Sequence, residues 1–400
     1  MSNPLLRKTV RRLARGIDRV FTGTALSPQP RARGVRVEHA ARMRALRVFT
    51  SFYARPAYMT RENAFLPRPE PIMPELRPIR RLAQGGEVID LRWPSAFEPL
   101  WSSAALRDHL AGLAPEARAQ LSYSADQVDE VEEIMQRLGL DRSGELRDKY
   151  MRSIANQTAH ARWFRHAGAP RPCLVLIHGY MGGNYALDER MWSVKRIYNS
   201  GVDVVLTVLP LHGQRRSELR GMRPPAFPSS DPRFTIEGFR QTVFDHRALF
   251  DYLRAGQVTQ LGVMGMSLGG YTAALLCTLE SYLRLSVLLV PLSRIEDFAH
   301  RSGHMHGTDA ERLELRDALR AAYSGVSPYT RPSLVPRERM IVVAGESDEV
   351  TGIEHGRALA EHFGARLEAF HGGHLLQAGR EQAFEPVWKL IGEYVVSGFA

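Results

Sequence analysis

The chain has 400 residues, 44% of them hydrophobic and 24% charged, which is enough apolar material for one large core or two modest ones. No apolar run approaches the roughly 18 residues that span a bilayer, and the basic N-terminus lacks the continuous apolar stretch of a secretory signal, so an intracellular, cytoplasmic protein is the expectation. The formal net charge of +10 is local: residues 1–50 hold twelve Arg/Lys against Asp18 and Glu38, and the remainder is formally neutral. The charge therefore describes an arm and not a basic body, which argues against reading the protein as a nucleic-acid binder.

Residues 1–25 read as a basic amphipathic helix. Leu6, Val10, Leu13, Ile17, Val20 and Phe21 recur at spacings of three and four and share one stripe roughly 100° wide. Lys8, Arg11, Arg12, Arg15 and Arg19 fall on the other side. Such a helix either lies on an anionic membrane surface or docks on the body with its arginines solvated; an Arg-rich targeting arm is a third reading. Residues 25–40 read as a Pro/Arg/Ser linker. Residues 54–80 contain six prolines and are expected to wrap the body in extended form. Glu87–Trp93 patterns as a strand, and 103–113, 126–138 and 144–157 as helices. This organisation gives an arm and linker (1–50), an irregular helical extension (51–157) and a body from 158 onward, with a lid-like insertion near 293–332.

From residue 158 strands and helices alternate. Thr158–Arg165 alternates in polarity. Cys173–Ile177, Val202–Leu209, Leu261–Met264, Ser286–Val290, Met340–Ala344 and Leu367–Phe370 read as buried strands. The loops that follow carry the chemistry. Gly265-Met266-Ser267-Leu268-Gly269 reads Gly-x-Ser-x-Gly between a strand and an apolar helix. A tight turn of this kind lifts a serine clear of the sheet, and the glycines admit backbone where a Cβ would collide. His178-Gly-Tyr-Met-Gly-Gly183 follows an earlier strand and can aim backbone N–H groups at a developing oxyanion. Gly345-Glu-Ser-Asp348 and His371-Gly-Gly-His374 follow the last two strands. Cys173 and Cys277 read as buried hydrophobes and not as a disulfide.

The motif and the order Ser267, Asp348, His374 resemble the alpha/beta-hydrolase superfamily over roughly residues 158–397. The resemblance implies an α/β fold with a mostly parallel central sheet. It implies Ser267 as nucleophile, His374 as general base and then acid, and Asp348 as the acid that orients His374. It implies oxyanion donors from the backbone N–H of Leu268 and of Tyr180, with Met181 as the alternative. It also implies a pocket that includes His178, Gly179, Met266 and His212, and two-step acyl transfer to water with neither metal nor organic cofactor. The sequence is also similar to esterase-, lipase- and acyl-peptidase-like branches, without a motif that selects one.

Several assignments have rivals. Glu346, Glu349 and Asp297 compete with Asp348, and His371 competes with His374. The histidines His300, His304 and His306 invite a metal, but no carboxylate or cysteine spacing accompanies them. The expected substrate is a small-molecule or lipid ester, with a hydrophobic acyl group favoured by the arm and the lid. The same site would serve a thioester or peptide bond. A non-catalytic, membrane-associated binding protein on the same fold is the reading from another class.

Overall fold

The computed structural model describes residues 4–25, 39–55, 65–117, 146–216, 224–305 and 307–397. Nine strands form one sheet: β1 (Glu75–Arg81), β2 (Glu87–Pro94), β3 (Thr158–Arg165), β4 (Arg171–Ile177), β5 (Asp203–Thr207), β6 (Val258–Met266), β7 (Leu283–Leu289), β8 (Met340–Gly345) and β9 (Arg366–Phe370). Their spatial order is β1-β2-β3-β5-β4-β6-β7-β8-β9. The first three strands join antiparallel, β3 pairs antiparallel with β5, and the six strands β4 through β9 are mutually parallel. The inner parallel strands β4–β8 are buried on both faces, as their Val-, Leu- and Ile-rich runs require, while the edge strand β9 is exposed or half-buried except at Phe370.

The sheet starts well before the boundary read at residue 158. β1 and β2 come from the segment read as an irregular helical extension, and β2 pairs with β3 over its full length. β1 was hidden in the proline-rich stretch. It is an edge strand, exposed at every residue, with a register shift beside Pro78. Proline and arginine are tolerated there because one side of an edge strand has no ladder to complete, and both discourage pairing with another chain.

Helices cover both faces: α1 (Pro4–Ala25), α2 (His39–Tyr53), α3 (Ser103–Ala111), α4 (Leu146–Met151), α5 (Tyr185–Met191), α6 (Val194–Asn199), α7 (Pro232–Arg254), α8 (Leu268–Cys277), α9 (Ile295–Arg301), α10 (Asp309–Ala322), α11 (Ile353–Phe363), α12 (Arg380–Ala383) and α13 (Glu385–Ser397). The helix read at 126–138 lies outside the described residues. α7 is buried along most of its length although it carries many charges. Each buried charge has a partner: Glu237 pairs with Arg240, Arg247 with Glu280, and Asp245 with Arg215 at 2.7 Å. Such pairs add little net stability, since desolvation offsets much of the attraction, but losing one partner would leave a buried charge uncompensated.

The segment read as a lid is a packed layer. α10 opens with a capping box between Thr308 and Glu311 and lies against α2, where His39 meets Glu314 at 2.7 Å. Arg320 ties α10 to α9 through Glu296 and Asp297. No helix among the described residues is long and apolar enough to cross a membrane. Both cysteines are buried and free.

Candidate active site

The turn after β6 is forced tight. Ser267 has φ 55° and ψ −114°, a backbone conformation that L-residues rarely adopt. The turn survives because its neighbours lack side chains. A Cβ on Gly265 would lie 2.0 Å from the Gly269 carbonyl oxygen, and a Cβ on Gly269 would lie 2.1 Å from that of Ile177. Ser267 donates its N–H to the Leu289 carbonyl, and its own carbonyl accepts from Tyr271 and Leu292. The strained residue is thus held on both sides, at the end of β6 and the start of α8.

The loop after β4 closes against it. A Cβ on Gly179 would meet Ser267 Cβ at 3.2 Å and the Met266 carbonyl oxygen at 3.3 Å. Gly182 N–H donates to the Gly179 carbonyl, and Met181 takes φ 65°. His178 stands behind this loop as its scaffold. It is buried, with Nδ1 against the Gly179 carbonyl at 2.7 Å, and it accepts the Leu209 N–H on Nε2 at 3.1 Å. That pattern fixes a neutral imidazole with the proton on Nδ1. Burial pushes its pKa down to about 4, against a smaller opposing effect of the Gly179 bond.

His212 is also fully buried, with Nδ1 at 2.9 Å from the Pro210 carbonyl and its ring edge-on to Tyr180. Burial, then His178, lowers its pKa to about 3. Both histidines support the loop from below. Tyr180 OH donates to the Pro225 carbonyl at 3.2 Å.

On the opposite side, the loops after β8 and β9 bring Asp348 and His374 together. His374 Nδ1 donates to Asp348 Oδ2 at 2.8 Å, and both side chains are almost wholly buried. The other carboxylate positions are taken: Val350 and Thr351 donate backbone N–H to Oδ1 at 2.8 and 2.9 Å, and the Thr351 hydroxyl donates to Oδ2 at 2.8 Å. Burial alone would raise the Asp348 pKa, but the His374 charge and these hydrogen bonds hold it at about 2. Burial likewise opposes a charged His374, and the charge and hydrogen bond of Asp348, together with the charge of Asp18, reverse the balance and raise its pKa. Gln377 links this loop to the turn, donating to the His374 carbonyl at 3.1 Å and lying 3.8 Å from Met266 Sδ.

The rival acids are engaged elsewhere. Glu346 and Glu349 face Arg11, Arg15 and Arg19 of α1, and Asp297 pairs with Arg320 at 2.8 Å. His371 packs under Gly379, whose Cβ would lie 2.2 Å from its ring. No group of histidine, cysteine and carboxylate residues suited to a metal occurs among the described residues; His306 lies outside them.

A mostly parallel sheet thus carries a serine on a tight turn after β6, an acid after β8 and a histidine after β9. This is the alpha/beta-hydrolase fold. No family model matches the chain. It is 31% identical over 230 residues, 56% of its length, to an uncharacterized protein of Mycobacterium tuberculosis, and the match spans 55% of that protein. The chain thus spans about half the length of the curated relatives it matches. Among solved structures it is similar to acetyl xylan esterase 1 from Thermoanaerobacterium, with a TM-score of 0.48 at 13% identity over 94% of this chain and 98% of that one. It is also similar to an acylaminoacyl peptidase from Pyrococcus horikoshii, with a TM-score of 0.42 at 14% identity over 60% of this chain and 40% of that one.

Three site residues had escaped the sequence reading: Thr351, Gln377 and Asp18. Thr351 and Gln377 carry no signal beyond proximity to Asp348 and His374. Asp18 carries one, since it is the sole acid in the first 25 residues, among six bases.

Proposed function

We propose that the chain is a serine hydrolase that cleaves carboxylic esters through an acyl-enzyme on Ser267. The observation that carries this reading is the buried pair of His374 and Asp348 at 2.8 Å, linked through Gln377 to the turn that holds Ser267 in its strained conformation. In the first step Ser267 Oγ attacks the ester carbonyl while His374 Nε2 takes its proton. Asp348 accepts the Nδ1–H throughout and stabilises the imidazolium that forms. The backbone N–H of Leu268 and of Tyr180, or of Met181, donate to the oxyanion. Collapse of the tetrahedral intermediate breaks the carbon–oxygen bond, and His374 returns its proton to the departing alcohol. A water molecule, deprotonated by His374, then releases the acid and regenerates the Ser267 hydroxyl. No step needs a metal or organic cofactor.

Within this class we favour a hydrophobic, lipid-like acyl ester. α1 leaves Leu13 57% and Ile17 38% exposed beside Arg12, a combination suited to an anionic membrane surface. Hydrolysis of p-nitrophenyl esters of increasing chain length is the test. The reading predicts turnover that rises with acyl length and disappears in Ser267→Ala. Turnover confined to acetyl esters would remove the lipid preference, and faster cleavage of acyl-thioesters or acyl-peptides would move the assignment to those bonds. Flotation with anionic vesicles, lost on replacing Leu13 and Ile17 with serine, tests the membrane surface separately.

A further inference from the structure

The body meets α1 along a face that is not its apolar stripe. Ala14 and Asp18, one turn apart, are both fully buried, whereas Leu13, Ile17 and Val20 remain exposed. At about 100° per residue, the docked face lies roughly 100° around the helix from the centre of the apolar stripe. None of the three readings of α1 taken from the sequence places a carboxylate on its docked face. The helix docks, but by a carboxylate, and Arg11, Arg15 and Arg19 pair with Glu346 and Glu349 of the body.

The Asp18 carboxylate accepts three backbone N–H groups from two different loops. Glu349 donates to Oδ2 at 3.2 Å from the loop after β8, and His374 to the same oxygen at 2.7 Å from the loop after β9. Leu375 donates to Oδ1 at 3.1 Å. The close approach depends on Gly373, where a Cβ would lie 2.5 Å from Asp18 Oδ2 and 3.2 Å from Ala14 Cβ. The backbone of His374 is therefore gripped by Asp18 while its ring is gripped by Asp348.

We propose that Asp18 is a positioning residue for His374. It clamps the acid loop to the histidine loop, so that Nδ1 stays on Asp348 and the ring keeps the one orientation that the proposed proton transfer from Ser267 uses. The proposal rests on reading Ser267 and His374 as a hydrolytic pair. A carboxylate that accepts backbone N–H groups forms charge-assisted bonds, which are roughly twice as strong as neutral ones. Displacement of a catalytic group by about 1 Å can cost about 100-fold in rate. The ionisable groups around the His374 imidazole are Asp348 from the acid loop, Asp18 from α1 and His355 from α11. Burial first, then the charge of Arg301, keeps His355 neutral near neutral pH. Glu349, paired with Arg15 and Arg19, lies further out. The charge of Asp18 favours the protonated imidazole, so its removal lowers the pKa of His374.

The test uses the full chain with p-nitrophenyl acetate as substrate, comparing wild type, Asp18→Ala, Gly373→Ala and the double variant. For Asp18→Ala we expect kcat to fall about 10- to 100-fold with KM nearly unchanged. The acidic limb of the kcat/KM profile should move to lower pH, and the amides of Glu349, His374 and Leu375 should lose protection from hydrogen exchange. Gly373→Ala should produce a similar loss by displacing the carboxylate, and it should cost little more once Asp18 is absent. Wild-type kcat and an unmoved acidic limb in Asp18→Ala would overturn the proposal. So would additive losses in the double variant. If Asp18→Ala fails to fold, Gly373→Ala carries the comparison with the acid itself retained. If the wild type cleaves no ester and takes no fluorophosphonate, the hydrolase reading has failed. The clamp is then decided by amide exchange and by the NMR titration of His374 in the two single variants: unchanged protection and an unmoved titration would overturn it.

Discussion

The two sides of Ser267 hold histidines in opposite electrostatic states. On the β4 side, His178 and His212 are buried among backbone carbonyls and rings, and burial depresses both, to about 4 and about 3. On the β8–β9 side, His374 is equally buried, yet its pKa is raised, because Asp348 and Asp18 add negative charge that outweighs desolvation. Burial alone makes a histidine a neutral strut; burial beside a carboxylate makes it a base that can carry charge. The contrast matches the proposed division of roles, with proton transfer on the β8–β9 side and support of the loop after β4 on the other.

The largest expected effect breaks the charged side. His374→Ala and Asp348→Asn should each lower kcat for ester hydrolysis by about 10⁴-fold, measured on variants whose thermal unfolding shows an intact fold. Asp348→Asn leaves the shape and removes the charge, so an activity near wild type would show that His374 does not need its carboxylate.

Next is the close approach on the neutral side. Gly179→Ala places a Cβ 3.2 Å from Ser267 Cβ and 3.3 Å from the Met266 carbonyl oxygen. Neither neighbour is the free end of a flexible side chain, so we expect kcat/KM to fall about 10- to 100-fold. Activity within threefold of wild type would mean that the loop can retreat without consequence.

Dependence on pH sharpens the contrast. As the proposed general base His374 must be neutral, and its raised pKa then places the acidic limb of kcat/KM above the ordinary imidazole value of 6.5. Asp348, held at about 2, remains ionised across that limb. The same shift sets a stability term with the opposite direction. A histidine with a raised folded pKa contributes stability below pH about 6.5 that is lost as pH rises through its folded value. His178→Gln should leave the acidic limb in place while lowering the melting temperature, because His178 bonds the Gly179 carbonyl and the Leu209 N–H and titrates far below the limb. A moved limb in His178→Gln would contradict the division of roles.

The parts of the site that the sequence revealed are those encoded within a few residues. Ser267 shows in its pentapeptide because the turn's steric demands are met by Gly265 and Gly269 in the motif itself. The inner parallel strands show because burial on both faces leaves nearly continuous apolar runs. Asp348 was one of four acids in strand-end loops. What separates it is the placement of Arg11, Arg15, Arg19 and Arg320, which engage the others from remote elements. β1 was illegible because an edge strand obeys solubility and not hydrophobic alternation, as Arg77, Pro78, Arg80 and Arg81 show. The burial of α7 has no local signal, since the partners of its Asp245 and Arg247, Arg215 and Glu280, lie about 30 residues away in sequence. Asp18 stands more than 330 residues from the amides it binds, and no local pattern reports such a contact.

The smallest expected effect concerns the rim of the docked helix. Arg19 and Glu349 meet at 3.3 Å with Arg19 69% exposed, so Arg19→Ala should change stability by less than about 1 kcal/mol and leave kcat unaltered. A large loss would place the grip of α1 in its surface ion pairs and not in Asp18.

The most direct measurement is covalent labelling by a fluorophosphonate, with the modified residue located by peptide mass spectrometry and the rate followed from pH 5 to 9. The account predicts a single adduct on Ser267, formed with a rate that rises through a pKa above 6.5 and is abolished in His374→Ala. An unlabelled wild type, an adduct on another serine, or a rate indifferent to His374 would contradict it.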